Sequence, residues 1–186
     1  MSVIYDKIAI LGVGLIGASV ARGARRAGLA GHVVGCDADP AVAPEVDRLG
    51  LVDSFTTDAV EAVADADLVI MAVPVGVLGD LAAAIIPAMK EGAVLTDTGS
   101  TKRSVIRDVD PHVSGHIHWL PSHPLAGTEH SGPAAGFAKL FEGRFWLILP
   151  REVPEEVVAR FEQFVSGMGS VCERMDADYH DKVLAL

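Results

Sequence analysis

The chain has 186 residues, of which 50% are hydrophobic, enough for one full domain with a sizeable core but short for two. A formal net charge of -10 repels phosphate backbones and anionic membrane surfaces, so we expect neither a nucleic-acid nor a membrane partner. No stretch reaches the roughly 18 uninterrupted apolar residues that span a bilayer, and residues 1–7 do not resemble a signal peptide. Two distant cysteines are too few for a disulfide framework, and we expect a cytoplasmic protein.

Short apolar runs alternate with longer segments of helical periodicity, a pattern that predicts βαβ units and a parallel sheet. The first predicted strand, residues 8–11, carries no charge, as expected where both faces of a sheet are covered. The further strands are predicted at residues 32–36, 67–73, 93–96, 117–120, 145–149 and 171–175. The helices are predicted at residues 15–27, 40–49, 77–89, 101–109 and 157–168, and a polar stretch covers residues 122–136.

A glycine-rich loop, Gly-Val-Gly-Leu-Ile-Gly, begins at Gly12 and joins the first strand to the first helix. Gly12 permits the tight turn, Gly14 lets the backbone approach a pyrophosphate, and Gly17 lets the helix pack closely on the strand. Leu15 and Ile16 open the helix, whose free N–H groups and positive dipole end then face the phosphates. The loop predicts a dinucleotide site, and a loop that serves helix packing alone is the alternative.

An acidic residue, Asp37, ends the second predicted strand, where a carboxylate accepts hydrogen bonds from the two ribose hydroxyls of adenosine. A 2′-phosphate there would meet this charge and that of Asp39, and no arginine follows the strand, so we expect NAD rather than NADP. Ala72, Val73 and Pro74 end a later strand and are expected beside the adenine and its ribose, with an ordinary strand end as the alternative.

These features predict an α/β fold of the Rossmann type, with a doubly wound, mostly parallel sheet over residues 1–175. They are the first strand, the glycine loop, the helix and the acidic end of the second strand. A new helix begins near Ala177, and the chain ends at Leu186 without a capping or turn residue. We interpret residues 176–186 as the start of a C-terminal helical domain and the chain as a fragment of a longer protein. A terminal lid helix is the alternative.

Two later polar segments each follow a strand and are expected at the carboxyl edge of the sheet, where open α/β sheets bind ligands. They read Asp-Thr-Gly-Ser-Thr-Lys at residues 97–102 and Ser-His-Pro-Leu-Ala-Gly-Thr-Glu at residues 122–129. Hydride removal from an alcohol needs a base for the hydroxyl proton, a role that suits histidine. Of the seven histidines, His123 is the candidate, because Pro124 constrains its backbone and a glycine-containing loop follows.

With these motifs the chain resembles the prephenate/arogenate dehydrogenase family of tyrosine biosynthesis. The resemblance covers essentially the whole chain and rests on the glycine loop, the segments at 97–102 and 122–129, and a late His180-Asp181-Lys182. It implies oxidative decarboxylation of prephenate, arogenate or both, with hydride transfer to NAD, and it leaves the choice between the two anionic substrates open.

The resemblance also implies roles for individual residues, and no metal ligand is among them. His123 matches the catalytic histidine that takes the proton of the ring hydroxyl, and Ser100 matches the serine that supports this histidine. Glu129 matches an acid near the side-chain end of the substrate. His180 matches a second histidine at the cleft, with a surface position at a helix start as the alternative. Lys102 is expected either to contact the anionic substrate or to be a solvated lysine at a helix start.

Members of this family continue into an all-helical domain that forms a homodimer, closes the substrate pocket and supplies a cationic anchor. The chain is therefore expected to bind NAD, with its activity alone left open, and to expose an apolar surface where those helices would pack. Two other hypotheses remain. A β-hydroxyacid dehydrogenase would need a Ser-Gly-Gly segment at 123–129 and a lysine near 167–173, which this sequence lacks. A non-catalytic NAD-sensing module would need the glycine loop but no histidine at the sheet edge.

Overall fold

Six parallel strands form the main sheet of the computed structural model, which describes residues 2–184. In chain order they are β1 (Tyr5–Leu11), β2 (Ala30–Cys36), β3 (Ser54–Thr56), β4 (Leu68–Met71), β5 (Val94–Asp97) and β6 (His118–Trp119). Their order across the sheet is β3-β2-β1-β4-β5-β6, so the chain changes direction between β1 and β4. Open α/β sheets bind ligands at such a switch point.

Helices cover both faces of this sheet, which confirms the doubly wound, mostly parallel Rossmann-type fold. They are α1 (Leu15–Ala27), α2 (Ala43–Arg48), α3 (Ala59–Val63), α4 (Leu78–Ile85), α5 (Lys102–Val109), α6 (Glu155–Gly167) and α7 (Ala177–Leu184). Along β1, Ile8 and Ile10 pack towards α1 and α6, whereas Ala9 and Leu11 pack towards α3, α4 and α5. Among residues 2–184 no helix has the length and apolar character needed to cross a membrane.

A second, smaller sheet lies beside the first and was not predicted as a separate unit. It contains β7 (Ser122–Pro124), β8 (Phe145–Ile148) and β9 (Val171–Arg174), in the order β7-β8-β9. β8 pairs antiparallel with β7 and parallel with β9. The start of the predicted polar stretch is therefore a strand. Three residues are too short for a periodic signal, and their pairing partner lies more than twenty positions later in the chain.

The remaining differences from the sequence predictions concern short elements. β3 and α3 were not predicted, because a three-residue strand and a five-residue helix carry little periodicity. The predicted helix over residues 40–49 is divided into a 3₁₀ turn at Pro40–Val42 and α2. The predicted strand over residues 67–73 is shorter, because β4 ends at Met71 and leaves Ala72 to Pro74 as loop.

The helix that was predicted to begin near Ala177 is α7, which packs against α5. His180 on this helix is fully buried, while Tyr179, Val183 and Leu184 are among the exposed large apolar residues. The apolar surface expected from the sequence stays a prediction. The last two residues of the predicted segment 176–186 lie outside the described residues.

The close approach of α1 to the glycine loop gives a test of the fold. A Cβ atom added at Gly17 would collide with the carbonyl oxygen of Gly12, whereas one added at Gly14 would meet no atom within 4 Å. We expect Gly17→Ala to lower the free energy of unfolding by about 1–3 kcal/mol, because backbone must move to accommodate the methyl group. Gly14→Ala is the matched control, with an expected loss of about 1 kcal/mol or less. Urea unfolding measures both, and a larger loss for Gly14→Ala would contradict this packing.

Candidate functional site

The glycine loop lies at the switch point between β1 and β4, and its first glycine, Gly12, leaves no room for a side chain. Gly12 has a φ of 93°, and a Cβ added there would run into the carbonyl group of Ala72. α1 follows with Gly14 at its N-cap, and its first turn has neither a capping side chain nor an acidic residue. The N–H groups that open α1 are therefore available to an anionic ligand.

A cleft beside this loop collects most of the residues that the sequence predicted for the cofactor. Its lining includes Gly12, Gly14, Asp37, Ala72, Val73 and Pro74. The other three predicted residues, Leu15, Ile16 and Gly17, form the first turn of α1 next to the cleft. Sequence reasoning missed the apolar side chains of Val77 and Leu81 and the loop residue Thr57, which also line the cleft. Thr57 follows the unpredicted strand β3, so no local signal indicated its position.

The Asp37 carboxylate connects the end of β2 to the glycine loop. Its Oδ2 accepts a hydrogen bond from the Val13 N–H at 3.0 Å, and its Oδ1 accepts one from the Asp39 N–H at 3.1 Å. Each carboxylate oxygen has a second lone pair that these bonds leave available. Because Asp37 also lines the cleft, the same group can order the loop and accept hydrogen bonds from a ligand hydroxyl.

Two histidines and one aspartate form a chain of hydrogen bonds between β7 and α7. Nδ1 of His123 lies 2.9 Å from Nε2 of His180, and Nδ1 of His180 lies 2.7 Å from Oδ1 of Asp181. His180 is fully buried, so the alternative of a surface position does not hold. These polar atoms bond to one another, and nowhere in residues 2–184 do three His, Cys, Asp or Glu side chains form a group that could hold a metal ion.

His123 is uncharged at neutral pH in this environment. Burial, followed by the charge of Lys102 and the neighbouring imidazole of His180, lowers the pKa of His123 to about 4, while Asp181 acts in the opposite direction. An imidazole that stays unprotonated at neutral pH can accept a proton from a hydroxyl group. The side chain is half-buried, so a ligand can reach it.

Lys102 differs from both sequence expectations, since it is neither solvated nor open to a substrate. Its side chain is fully buried, and its ammonium group donates to Oδ2 of Asp97 and, at 2.6 Å, to the carbonyl oxygen of Ser122. Burial lowers the pKa of the Lys102 ammonium, and the charge of Asp97 opposes this shift. The sequence could not reveal this position, because the segment that covers Lys102 begins twenty residues later in the chain.

Ser122 is the centre of a buried network that joins the two sheets. Its N–H donates to Oδ1 of Asp97 at 3.2 Å, and its hydroxyl donates to the Asp97 carbonyl oxygen at 2.8 Å. The same hydroxyl oxygen lies 2.9 Å from Oγ1 of Thr96 and accepts from Nε1 of Trp146 at 3.0 Å. The network fixes the backbone of the residue immediately before His123. Sequence reasoning did not single out Ser122, although it lies within the quoted motif.

Ser100 and Glu129 do not join this cluster. Both are exposed, and among residues 2–184 neither side chain forms a hydrogen bond with His123. Glu129 lies 3.5 Å from the imidazole of His130 at the surface. The partner of His123 is His180 instead, so the roles assigned to Ser100 and Glu129 stay predictions.

The buried ion pair gives a prediction about stability. We expect Lys102→Met to lower the free energy of unfolding by about 3–5 kcal/mol, because the Asp97 carboxylate remains in the interior without its cation. Asp97→Asn added to this variant removes the stranded charge, so the double variant should be more stable than Lys102→Met alone. Urea unfolding of four proteins measures the coupling: the unmodified chain, Lys102→Met, Asp97→Asn and the double variant. Strictly additive losses would contradict it.

The pKa of His123 gives a prediction about pH. Between about 4 and the ordinary value of 6.5, the unfolded chain binds a proton at this residue that the folded chain does not. The contribution of His123 to stability is therefore fully present above pH 6.5, the pKa of the unfolded chain, and is lost as the pH falls towards 4. The free energy of unfolding should decrease less between about pH 7 and about pH 5 in His123→Gln than in the unmodified chain. Equal decreases in both proteins would show that the pKa of His123 is not lowered in the folded chain.

Comparison with known proteins agrees with this geometry. Residues 20–174 match the family model described as the nucleotide-binding domain of prephenate dehydrogenase. The chain is 40% identical over 184 residues to a cyclohexadienyl dehydrogenase of Zymomonas mobilis, and the match covers 98% of this chain and 62% of that protein. It is 32% identical over 179 residues to a prephenate dehydrogenase of Lactococcus lactis, and the match covers 95% of this chain and 48% of that protein.

A solved structure is similar over the same extent. The prephenate dehydrogenase of Aquifex aeolicus, crystallised with hydroxyphenyl propionate and NAD+, superposes with a TM-score of 0.88 at 28% identity. The match covers 97% of this chain and 63% of that one, so the chain spans less than two thirds of the length of each of these three relatives. With a family match over most of its length and this fold, the chain belongs to the prephenate dehydrogenase nucleotide-binding domain family.

Proposed function

We propose that this chain is the NAD-binding domain of a dehydrogenase that converts prephenate, arogenate or both by oxidative decarboxylation in tyrosine biosynthesis. The observation that carries the proposal is the position of His123, an uncharged histidine on the same sheet edge as the cofactor cleft. Met71 and Asp97 are paired at the ends of β4 and β5, and Asp97 in turn bonds to the backbone of Ser122. A module that only senses NAD would not need this histidine.

NAD fits the residues of the cleft and supplies a nicotinamide ring that accepts hydride. The open backbone of the glycine loop and the first N–H groups of α1 would hold its pyrophosphate. Asp37 would accept hydrogen bonds from the adenosine ribose, and Ala72, Val73 and Pro74 would flank the adenine end. The Aquifex aeolicus relative was crystallised with NAD+.

His123 would act on the ring hydroxyl of the substrate. It accepts the hydroxyl proton while the hydride leaves the same carbon, and this carbon then becomes a carbonyl group. The C–C bond to the ring carboxylate breaks next and releases carbon dioxide. Its electron pair makes the ring aromatic, and the resulting phenolate recovers a proton from His123. Aromatisation supplies much of the driving force, so the main work of the protein is orientation and one proton transfer.

The remaining assignments complete the proposal. Residues 1–175 would form the NAD-binding domain, and residues 176–186 would begin a helical domain that builds the homodimer and closes the substrate pocket. Ser100 and Glu129 would approach the substrate from the exposed loops after β5 and β7. Cys36 and Cys172 are both free, which suits a reducing cytoplasm.

A turnover assay of the complete protein tests the proposal. Prephenate and arogenate, each with NAD, are compared in parallel by following the absorbance of NADH. His123→Asn is expected to reduce turnover by roughly 10²–10⁴-fold, because the proton acceptor is lost, with NAD affinity nearly unchanged in calorimetric titration. Asp37→Ala is the complementary variant and should weaken NAD binding instead. Unreduced turnover in His123→Asn, or no turnover of either substrate by the unmodified protein, would refute the proposal.

A further inference from the structure

We propose that Asp181 and His180 are positioning residues that keep His123 in the tautomer with its proton on Nδ1, so that Nε2 is the proton acceptor. The catalytic consequence rests on the function proposed above for His123. The tautomer itself is a property of this chain and can be measured without substrate. Asp181 stands in the motif at residues 180–182, but neither a role for Asp181 nor this role of His180 follows from the sequence motifs.

The Asp181 carboxylate is the fixed end of the chain of hydrogen bonds. Its Oδ1 accepts from the backbone N–H of Lys102 at 2.8 Å and its Oδ2 from that of Arg103 at 2.9 Å, at the start of α5. Partial burial alone would raise the pKa of Asp181. The hydrogen bonds from Arg103, His180 and Lys102 outweigh burial and hold that pKa below its usual value. Asp181 is therefore an ionised group that only accepts hydrogen bonds.

An ionised Asp181 decides where the proton of His180 lies. Nδ1 of His180 is 2.7 Å from the carboxylate, so this nitrogen must carry the hydrogen that joins them. A neutral imidazole protonated on Nδ1 has a lone pair on Nε2. The fully buried side chain of His180 turns that lone pair towards Nδ1 of His123, at 2.9 Å.

His123 is constrained by His180 in the same way. Because Nε2 of His180 accepts, Nδ1 of His123 must donate, and the lone pair of a neutral His123 lies on its Nε2. Among residues 2–184 no group forms a hydrogen bond with that Nε2, so it stays available to a substrate hydroxyl. The geometry thus orients the ring and selects the nitrogen that accepts the proton.

The charged groups around this chain of hydrogen bonds belong to three elements. On α5, the Lys102 ammonium is paired with Asp97 at the end of β5, and the exposed Arg103 pairs with Asp178 of α7. Among residues 2–184, Asp181 is the one carboxylate that forms a hydrogen bond with either of these two imidazoles, and its partner is His180. Asp178 and Asp181 lie on the same helix, but only Asp181 bonds to an imidazole and can select its tautomer. A variant at Asp178 is therefore a suitable control.

The first experiment observes the ring nitrogens directly. The complete protein is labelled with ¹⁵N in its histidine rings, and His123→Gln and His180→Gln identify the two sets of signals. At about pH 7 we expect both rings to be protonated on Nδ1 and unprotonated on Nε2. A spectrum in which His123 carries its proton on Nε2 would overturn the proposal. The tautomers are read from the spectrum of the unmodified protein, and the two variants serve only to assign its signals.

The second experiment exchanges the carboxylate for an amide of the same shape. In Asp181→Asn an amide N–H₂ in the place of Oδ1 donates to Nδ1 of His180, which moves the proton of each ring to Nε2 and removes the acceptor on His123. The backbone N–H of Lys102, which Oδ1 accepts in the unmodified protein, then loses this acceptor. The expected result is the opposite tautomer in both rings and a kcat reduced by at least about 100-fold, with KM for NAD nearly unchanged. Asp178→Asn removes an exposed carboxylate from the same helix and should alter neither the spectrum nor kcat.

The outcomes separate this proposal from the proposed function. If the unmodified protein turns over neither substrate, the proposed function fails, while the ring spectrum still decides the tautomers. If Asp181→Asn binds NAD normally and retains both its tautomers and its kcat, the positioning role is refuted. A fall in kcat without a change of tautomer would also refute it, because the loss would then have another cause.

Discussion

The ammonium group of Lys102 donates to the Asp97 carboxylate and to the Ser122 carbonyl oxygen, and it joins α5, the end of β5 and the start of β7 at one buried point. Removing two charges from water is unfavourable unless each finds its partner, so these three segments can pack only in register with one another. The two sheets are held together here, since Trp146 of β8 also donates to the hydroxyl of Ser122. The backbone of His123 follows Ser122 directly and is therefore held in place by the same bonds.

A second connection closes the site from the C-terminal side. The Asp181 carboxylate bonds to the first N–H groups of α5, 78 and 79 positions earlier in the chain, and so attaches α7 to the same helix that carries Lys102. α5 therefore takes part in both connections. The side chain of Lys102 points into the buried network, and the N-terminus of the helix faces Asp181. His180 lies between these fixed points, which explains why a titratable side chain is fully buried and still fully hydrogen-bonded.

The cofactor cleft was the part of the site that sequence predicted best. Gly12, Gly14 and Asp37 lie on one continuous strand–loop–helix–strand unit, and their roles depend on backbone geometry within it. By contrast, Thr57 was missed because it reaches the cleft only through β3, a strand too short for a periodic pattern. The predictions for the position of Lys102 were wrong for a related reason. A lysine at a helix start is solvated unless some distant segment covers it, and here β7 does.

The sequence by itself determined the parallel sheet, its helices, the glycine loop with its acidic partner, and His123 as the candidate base. These features depend on local periodicity, on the freedom of glycine and on residue chemistry, all of which are visible over a few neighbouring positions. Only the tertiary structure decided that β7, β8 and β9 form a sheet of their own, that Lys102 is buried, and that Asp181 supports His123 through His180. The reason is that the partner of a buried polar group depends on which distant segments pack together, and no local pattern records that choice.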